Sequence, residues 1–185
     1  MESSINSTVV FKTVKTKTAA AVCAAVAAVA LPQLFHILGA VFGAGTALGE
    51  TFLPMHIAIL AVGLLAGPVA GVVAGAAAPV ISFALTGMPT IFMLPFMTIE
   101  LAAYGLISGL LAGKKMPTLA KLLIAQTGGR AVRAAAITAG FYLLGTKINP
   151  SVIWTSIYVG LPGLILQWAL IPLTVFAIGK KAKYE

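Results

Sequence analysis

Apolar residues run along this chain in long unbroken stretches, and short clusters of Gly, Pro and Lys separate them. Six stretches can be marked. The first covers residues 18–40 and contains Pro32; a Gly-rich connection follows and ends at Glu50. The second, residues 52–66, is short and is punctuated by Gly67-Pro68. The third covers residues 69–85 and stops at Thr86-Gly87-Met88-Pro89, and the fourth covers residues 91–112 and stops at Gly113-Lys114-Lys115. Residues 116–145 are mixed, with Lys121, Gln126, Arg130 and Arg133, and read as an amphipathic entry followed by a fifth span. The linker Thr146-Lys147-Ile148-Asn149-Pro150 leads to a sixth stretch over residues 152–178. A lipid-facing barrel strand alternates apolar and polar positions over about 10 residues, whereas these runs are continuous and longer. The pattern predicts an all-α membrane protein with six transmembrane helices.

Composition sharpens this reading. Of 185 residues, 60% are hydrophobic and 9% charged, against roughly 25% charged in an ordinary soluble domain. So few charges cannot cover a soluble fold of this apolar content. An ordinary cytosolic enzyme, a nucleic-acid binder and a disordered linker are excluded, and the lipid bilayer becomes the expected solvent. No loop is long enough for a second domain. The expected organisation is therefore a short N-terminal segment (residues 1–17), a membrane domain (18–179) and a basic tail (180–185).

The net charge of +8 carries topology rather than nucleic-acid affinity. With six spans, Lys12, Lys15, Lys17, Lys114, Lys115, Lys180, Lys181 and Lys183 share one side, while Lys147 and Glu50 lie on the other. Positive residues mark the cytoplasmic side, so both termini are expected to be cytoplasmic. The run after Lys17 resembles a signal-peptide core, but apolar character resumes beyond Pro32, and a retained first helix is expected. The single cysteine, Cys23, can form neither an internal disulfide nor a metal cluster.

Small residues form rows. Gly63, Gly67, Gly71 and Gly75 recur every four positions across the second and third spans and predict close internal packing. On the first helix Ala20, Ala24 and Ala28, with Ala21 and Ala25 beside them, form a flat face suited to another helix, either internal or from a partner.

Ionisable groups inside a span are costly and point to function. Glu100 sits in the middle of the fourth span, and Arg130 lies deep in the fifth with Arg133 one turn later. Tyr104 is one turn after Glu100, Gln126 one turn before Arg130, and Gln167 lies inside the sixth span. These groups suit a small polar cavity that recognises a compact hydrogen-bonding solute; the alternative is a mutual Glu100–Arg130 salt bridge between helices. His56, after Pro54, is expected at the membrane interface, and among the aromatic residues Trp154 is placed best for a ligand. There is no catalytic or phosphate-binding motif and no metal spacing, so no enzyme activity, cofactor or metal is expected. ATP-driven transport would need ATPase chemistry on another subunit.

The stretches Phe52-Leu53-Pro54-Met55-His56-Ile57, Gly63-Leu64-Leu65-Ala66-Gly67-Pro68, Leu85-Thr86-Gly87-Met88-Pro89 and Glu100-Leu101-Ala102-Ala103-Tyr104-Gly105 occur in order, followed by Gly129-Arg130 and by Pro162-Gly163 with Gln167. In this set the chain resembles the substrate-binding S components of energy-coupling factor (ECF) transporters, over residues 18–178. The resemblance implies a six-helix subunit of a prokaryotic cytoplasmic membrane. Such a subunit binds a small water-soluble vitamin near the extracellular side. It is energised by a shared transmembrane subunit and two ATPases. It further implies that the small-residue face of the first helix (Ala20, Ala24, Ala28, Ala21, Ala25) meets the shared subunit. The implied pocket draws on Glu50, Met88, Glu100, Tyr104, Gln126, Arg130, Trp154 and Gln167. Arg130 suits the carboxylate of pantothenate or a similar acid; Glu100 suits a ring nitrogen or hydroxyl of a pyridoxine-like or pyrimidine-like vitamin. The absence of a His-rich N-terminus argues against nickel or cobalt. The alternatives are a stand-alone secondary transporter or channel, or a membrane scaffold.

Overall fold

The computed structural model describes residue 11 and residues 13–181. Lys12 and Lys183, and most of the two terminal segments expected from the sequence, lie outside the described residues. What is described is all-helical, in eight segments: α1 Val14–Val41, α2 Ala47–Phe52, α3 Pro54–Ala66, α4 Pro68–Thr86, α5 Leu94–Ala112, α6 Thr118–Leu144, α7 Ser151–Val159 and α8 Leu161–Lys181.

The helix limits follow from local chemistry. The Thr13 hydroxyl accepts a 3.2 Å hydrogen bond from the Thr16 amide and caps α1, so this helix starts four residues before the boundary expected from hydropathy. Pro54 and Pro68 open α3 and α4, where a missing N–H costs nothing. Gly67, at φ +93°, makes the turn between them that only glycine adopts without strain. Two of the six apolar stretches prove to be broken rods. The second divides at Leu53, a non-glycine residue at φ 48°, and the sixth divides at Gly160.

Five helices are long and apolar enough to cross a membrane: α1, the α2–α3 pair, α4, α5 and α8. At 27 residues α6 is long enough, but Lys121, Arg130 and Arg133 depress its apolar character. All three of those side chains turn inward or are partly buried. Large apolar side chains such as Val26, Ile37, Val73, Leu110 and Phe176 lie outward on the bundle, as a multi-pass membrane protein requires.

Glycine rows decide how the helices approach. A Cβ on Gly71 would fall on the carbonyl of Gly105, and one on Gly105 on the carbonyl of Gly71. Gly75 meets the Leu101 carbonyl, and Gly109 meets Pro68. As the number rises along α4 it falls along α5, so these helices are antiparallel with their backbones in contact. Gly63 faces Ser108 on α5 in the same manner. The α3–α5 pair is parallel, since His56 adjoins Glu100 eight or so positions earlier in both helices.

The alanine row on α1 requires a correction. Ala24 and Ala28 are 9% and 0% exposed, and Ala21 is buried with them in the core, where α1 packs on α3 and α4. Ala20 and Ala25 are partly buried, and Ala20 also packs on that core. The row serves internal packing, because α3 and α4 need a flat surface to approach α1. Ala21, Ala24 and Ala28 are therefore closed to a partner, while Ala20 and Ala25 keep part of their surface exposed.

Candidate functional site

The register of the helices gathers polar chemistry at one end of the bundle. At one pole, the Phe11 amide donates to the Leu65 carbonyl and the Lys121 ammonium donates to the Ala112 carbonyl at 2.8 Å. This is the pole of Lys114 and Lys115. Lys121 is buried, and its ammonium covers the carbonyl end of α5, where helical partial charge is negative. Towards the opposite pole a cavity of about 360 Å³ opens between α1, α2, α3, α6, α7 and the α4–α5 connection. Pockets for small ligands begin at about 300 Å³.

Glu100 stands behind the wall of this cavity and is fully buried. Its Oε2 accepts from Arg133 at 3.0 Å and lies 4.0 Å from His56 Nε2. Its Oε1 accepts from the Tyr104 hydroxyl at 2.9 Å. The Tyr104 ring fits because Gly129 has no side chain: a Cβ there would overlap the ring. A buried carboxylate needs a cation and hydrogen-bond donors around it, and Arg133 and Tyr104 provide both.

This arrangement changes the expected pairing. Among the described residues the partner of Glu100 is Arg133, not Arg130. Arg130, one turn earlier on α6, lines the cavity with no carboxylate in reach, and its Nε is buried without a partner. Five buried side-chain polar atoms among the described residues lack a partner, and four belong to cavity-lining residues: His36 Nδ1, His56 Nδ1, Arg130 Nε and Arg133 Nε. A buried unpaired polar atom costs about 1–3 kcal/mol.

The remaining lining is apolar and polarisable. Met55, Met88, Met93 and Met97 all face the cavity, four of the six methionines in the chain. The thioether of Met93 accepts a 3.7 Å contact from Arg133. Methionine adapts to the shape of a bound molecule and makes favourable contact with flat rings.

Of the residues expected from the sequence, Glu50, Met88, His56 and Arg130 line the cavity. Glu50 lies exposed at its rim, where Thr46 donates to it at 3.2 Å. His56 is 5% exposed and faces neither lipid nor bulk solvent, because α3 is buried on nearly every side. Glu100 and Tyr104 support the wall from behind. Gln126 and Gln167 do not reach the cavity. Gln126 donates to Gln167 at 2.8 Å and accepts from the Trp168 indole at 2.7 Å, and Gln167 donates to the Leu53 carbonyl at 3.5 Å. These amides clamp α6 and α8 to the break at Leu53. Trp154 is 75% exposed and points away from the cavity.

Sequence reasoning passed over His36, and it did not place Arg133 in the site. His36 continues the inward face of α1 marked by Ala28 and Pro32, at four-residue steps, a signal that was present. Its ring lies against Gly49, where a Cβ would come within 2.9 Å. No family model, curated protein or solved structure matches this chain.

Proposed function

We propose that this protein is a membrane-embedded substrate-binding subunit of the S-component type. In this reading it captures a small water-soluble vitamin for uptake across a prokaryotic cytoplasmic membrane. The observation that carries the reading is a cavity of about 360 Å³ lined by four methionines, His36, His56 and Arg130, with Arg130 in no ion pair among the described residues. The inward-facing charges of α6 make it the sixth crossing. Both termini then lie with Lys114 and Lys115 on the cytoplasmic side, and the cavity opens to the outside.

The chain itself performs no chemistry in this scheme. A shared transmembrane subunit and two ATPases energise it, and that module docks on a surface other than the buried Ala24–Ala28 row. The free Arg130 favours a pantothenate-like acid. The engagement of Glu100 with Arg133 and Tyr104 leaves it little capacity for a pyridoxine-like or pyrimidine-like ring.

A second reading, a stand-alone secondary transporter, draws on one observation. The helix breaks at Leu53 and Gly160 lie side by side, a Cβ on Gly160 meeting the Leu53 side chain at 2.8 Å. Broken helices beside a midplane site occur in ion-coupled carriers. Uptake of radiolabelled pantothenate into cells expressing the chain, with and without an ECF energising module, separates the two. Uptake only with the module supports the S-type reading, and undiminished uptake without it supports the carrier.

A further inference from the structure

Two short helices roof the cavity, and they are held in different ways. The first, α2, is fixed. It packs on α1 and α8, its Phe52 ring lies 5.4 Å from the Phe35 ring of α1, and Gln167 donates to the Leu53 carbonyl just beyond its end. The second, α7, has no buried residue. Its hydrogen bonds run only to its own residues and to the flanking Asn149, Pro150 and Gly160. A segment with no buried side chain and no hydrogen bond to a neighbouring element opens at low free energy.

The faces of α7 differ. Val152, Thr155, Ser156 and Val159, at i, i+3, i+4 and i+7, line the cavity. Ile153 and Ile157, one turn apart on the next face, meet Ala134 of α6 across a second void of about 10 Å³, which Ser156 and the two arginines also bound. Trp154 and Tyr158 are 75% and 77% exposed on the remaining face, and aromatic side chains of this kind settle at the membrane interface. So α7 spans the cavity with a gap on its α6 side. Its ends differ too. Gly160 is pinned beside Leu53, where a Cβ would come within 2.8 Å of that side chain. The linker at the other end starts at Gly145, at φ +63° with open space around it.

We propose that α7 is a lid. Seated on α6 it closes the cavity, and swung outward about Gly160 it admits the solute, with Trp154 and Tyr158 riding in the membrane interface. The lid governs access for any occupant, so it stands or falls separately from the identity of the solute.

The test uses the full chain in detergent, with Cys23→Ala to leave no native thiol. The pair Ala134→Cys and Ser156→Cys, on the α6 and α7 sides of the small void, is oxidised with copper phenanthroline and oxygen to fasten the lid. Cavity access is read with chloramine-T, which converts Met93 and Met97 of the lining to sulfoxides counted by peptide mass spectrometry. Fastening is expected to slow their oxidation at least about tenfold relative to the Cys23→Ala protein without the pair, since access then lacks the local opening of α7. Oxidation of Met116, at the pole of Lys114 and Lys115, is expected to stay unchanged. Equal rates at Met93 and Met97 overturn the lid, as does failure of the pair to cross-link. A measurement on the wild type keeps the test independent of how the variants fold. Amide hydrogen exchange is expected to run at least about 100-fold faster in residues 154–159 than in residues 164–171 of α8; equal protection of the two segments overturns the inference.

Discussion

Arg130 and Arg133 are one helical turn apart on α6, yet the structure assigns them opposite consequences when removed. Arg133 donates to the fully buried Glu100 at 3.0 Å, and its own side chain is 13% exposed. Arg133→Ala strands that carboxylate with only the Tyr104 hydroxyl and a 4.0 Å imidazole neighbour. Breaking a buried ion pair from one side costs about 3–5 kcal/mol. At roughly 2–4 °C per kcal/mol for a chain of this size, the lower figure is a fall of roughly 6–12 °C in melting temperature. Arg130→Ala orphans no partner and removes an unmet donor, so its effect on stability is less than about 1 kcal/mol. Its cost falls on ligand affinity, by at least about tenfold, or ~1.4 kcal/mol. The double variant Glu100→Gln with Arg133→Met strands neither member of the pair as a lone charge and is expected to regain most of the stability lost in Arg133→Ala. Thermal unfolding in a mild detergent, followed by tryptophan fluorescence, reads all three. An Arg130→Ala protein that unfolds early beside a stable Arg133→Ala protein refutes the assignment of the pair.

Packing decides the outcome of substitutions elsewhere in the bundle. Gly71→Ala places a Cβ on the Gly105 carbonyl, so α4 and α5 must separate; overpacking of this kind costs about 1–3 kcal/mol. Gly113→Ala, with open space around it, leaves the melting temperature unchanged or raises it slightly. Ala24→Trp is expected to abolish folding, since Ala24 is buried between α1 and its neighbours, whereas Val26→Trp on the outward face of α1 is tolerated; size-exclusion profiles after detergent extraction distinguish them.

Much of the fold is legible in the sequence because its signals are local. The turn at Gly67-Pro68 and the stop at Gly87 are written in residues with one conformational meaning, and unbroken apolar runs leave helices as the only spanning solution. The break at Leu53 was not legible, since a leucine carries no preference for positive φ. The surrounding clamp from Gln167 and the close approach of Gly160 hold it there, and both come from 100 or more positions away in the chain. The same distinction governs the site. That Glu100 needs a cation follows from its burial in an apolar run. Which arginine answers depends on the register of α5 against α6, fixed by such contacts as Tyr104 with Gly129. A row of small residues is equally suited to a neighbour inside the bundle or beyond it, so the facing of Ala24 and Ala28 was open until α3 and α4 were placed. Gln126 and Gln167 were recognised as a polar set within the membrane, but amides satisfy one another as readily as they satisfy a ligand.

The central claim is that the cavity beneath Glu50 and Met88 exists to hold a small molecule that satisfies Arg130. Native mass spectrometry of the gently extracted protein tests it most directly. A non-covalent adduct with the mass of a small organic acid, lost in Arg130→Ala while the protein stays folded, is the predicted result. An empty wild-type protein that also remains empty after incubation with a panel of water-soluble vitamins contradicts the account.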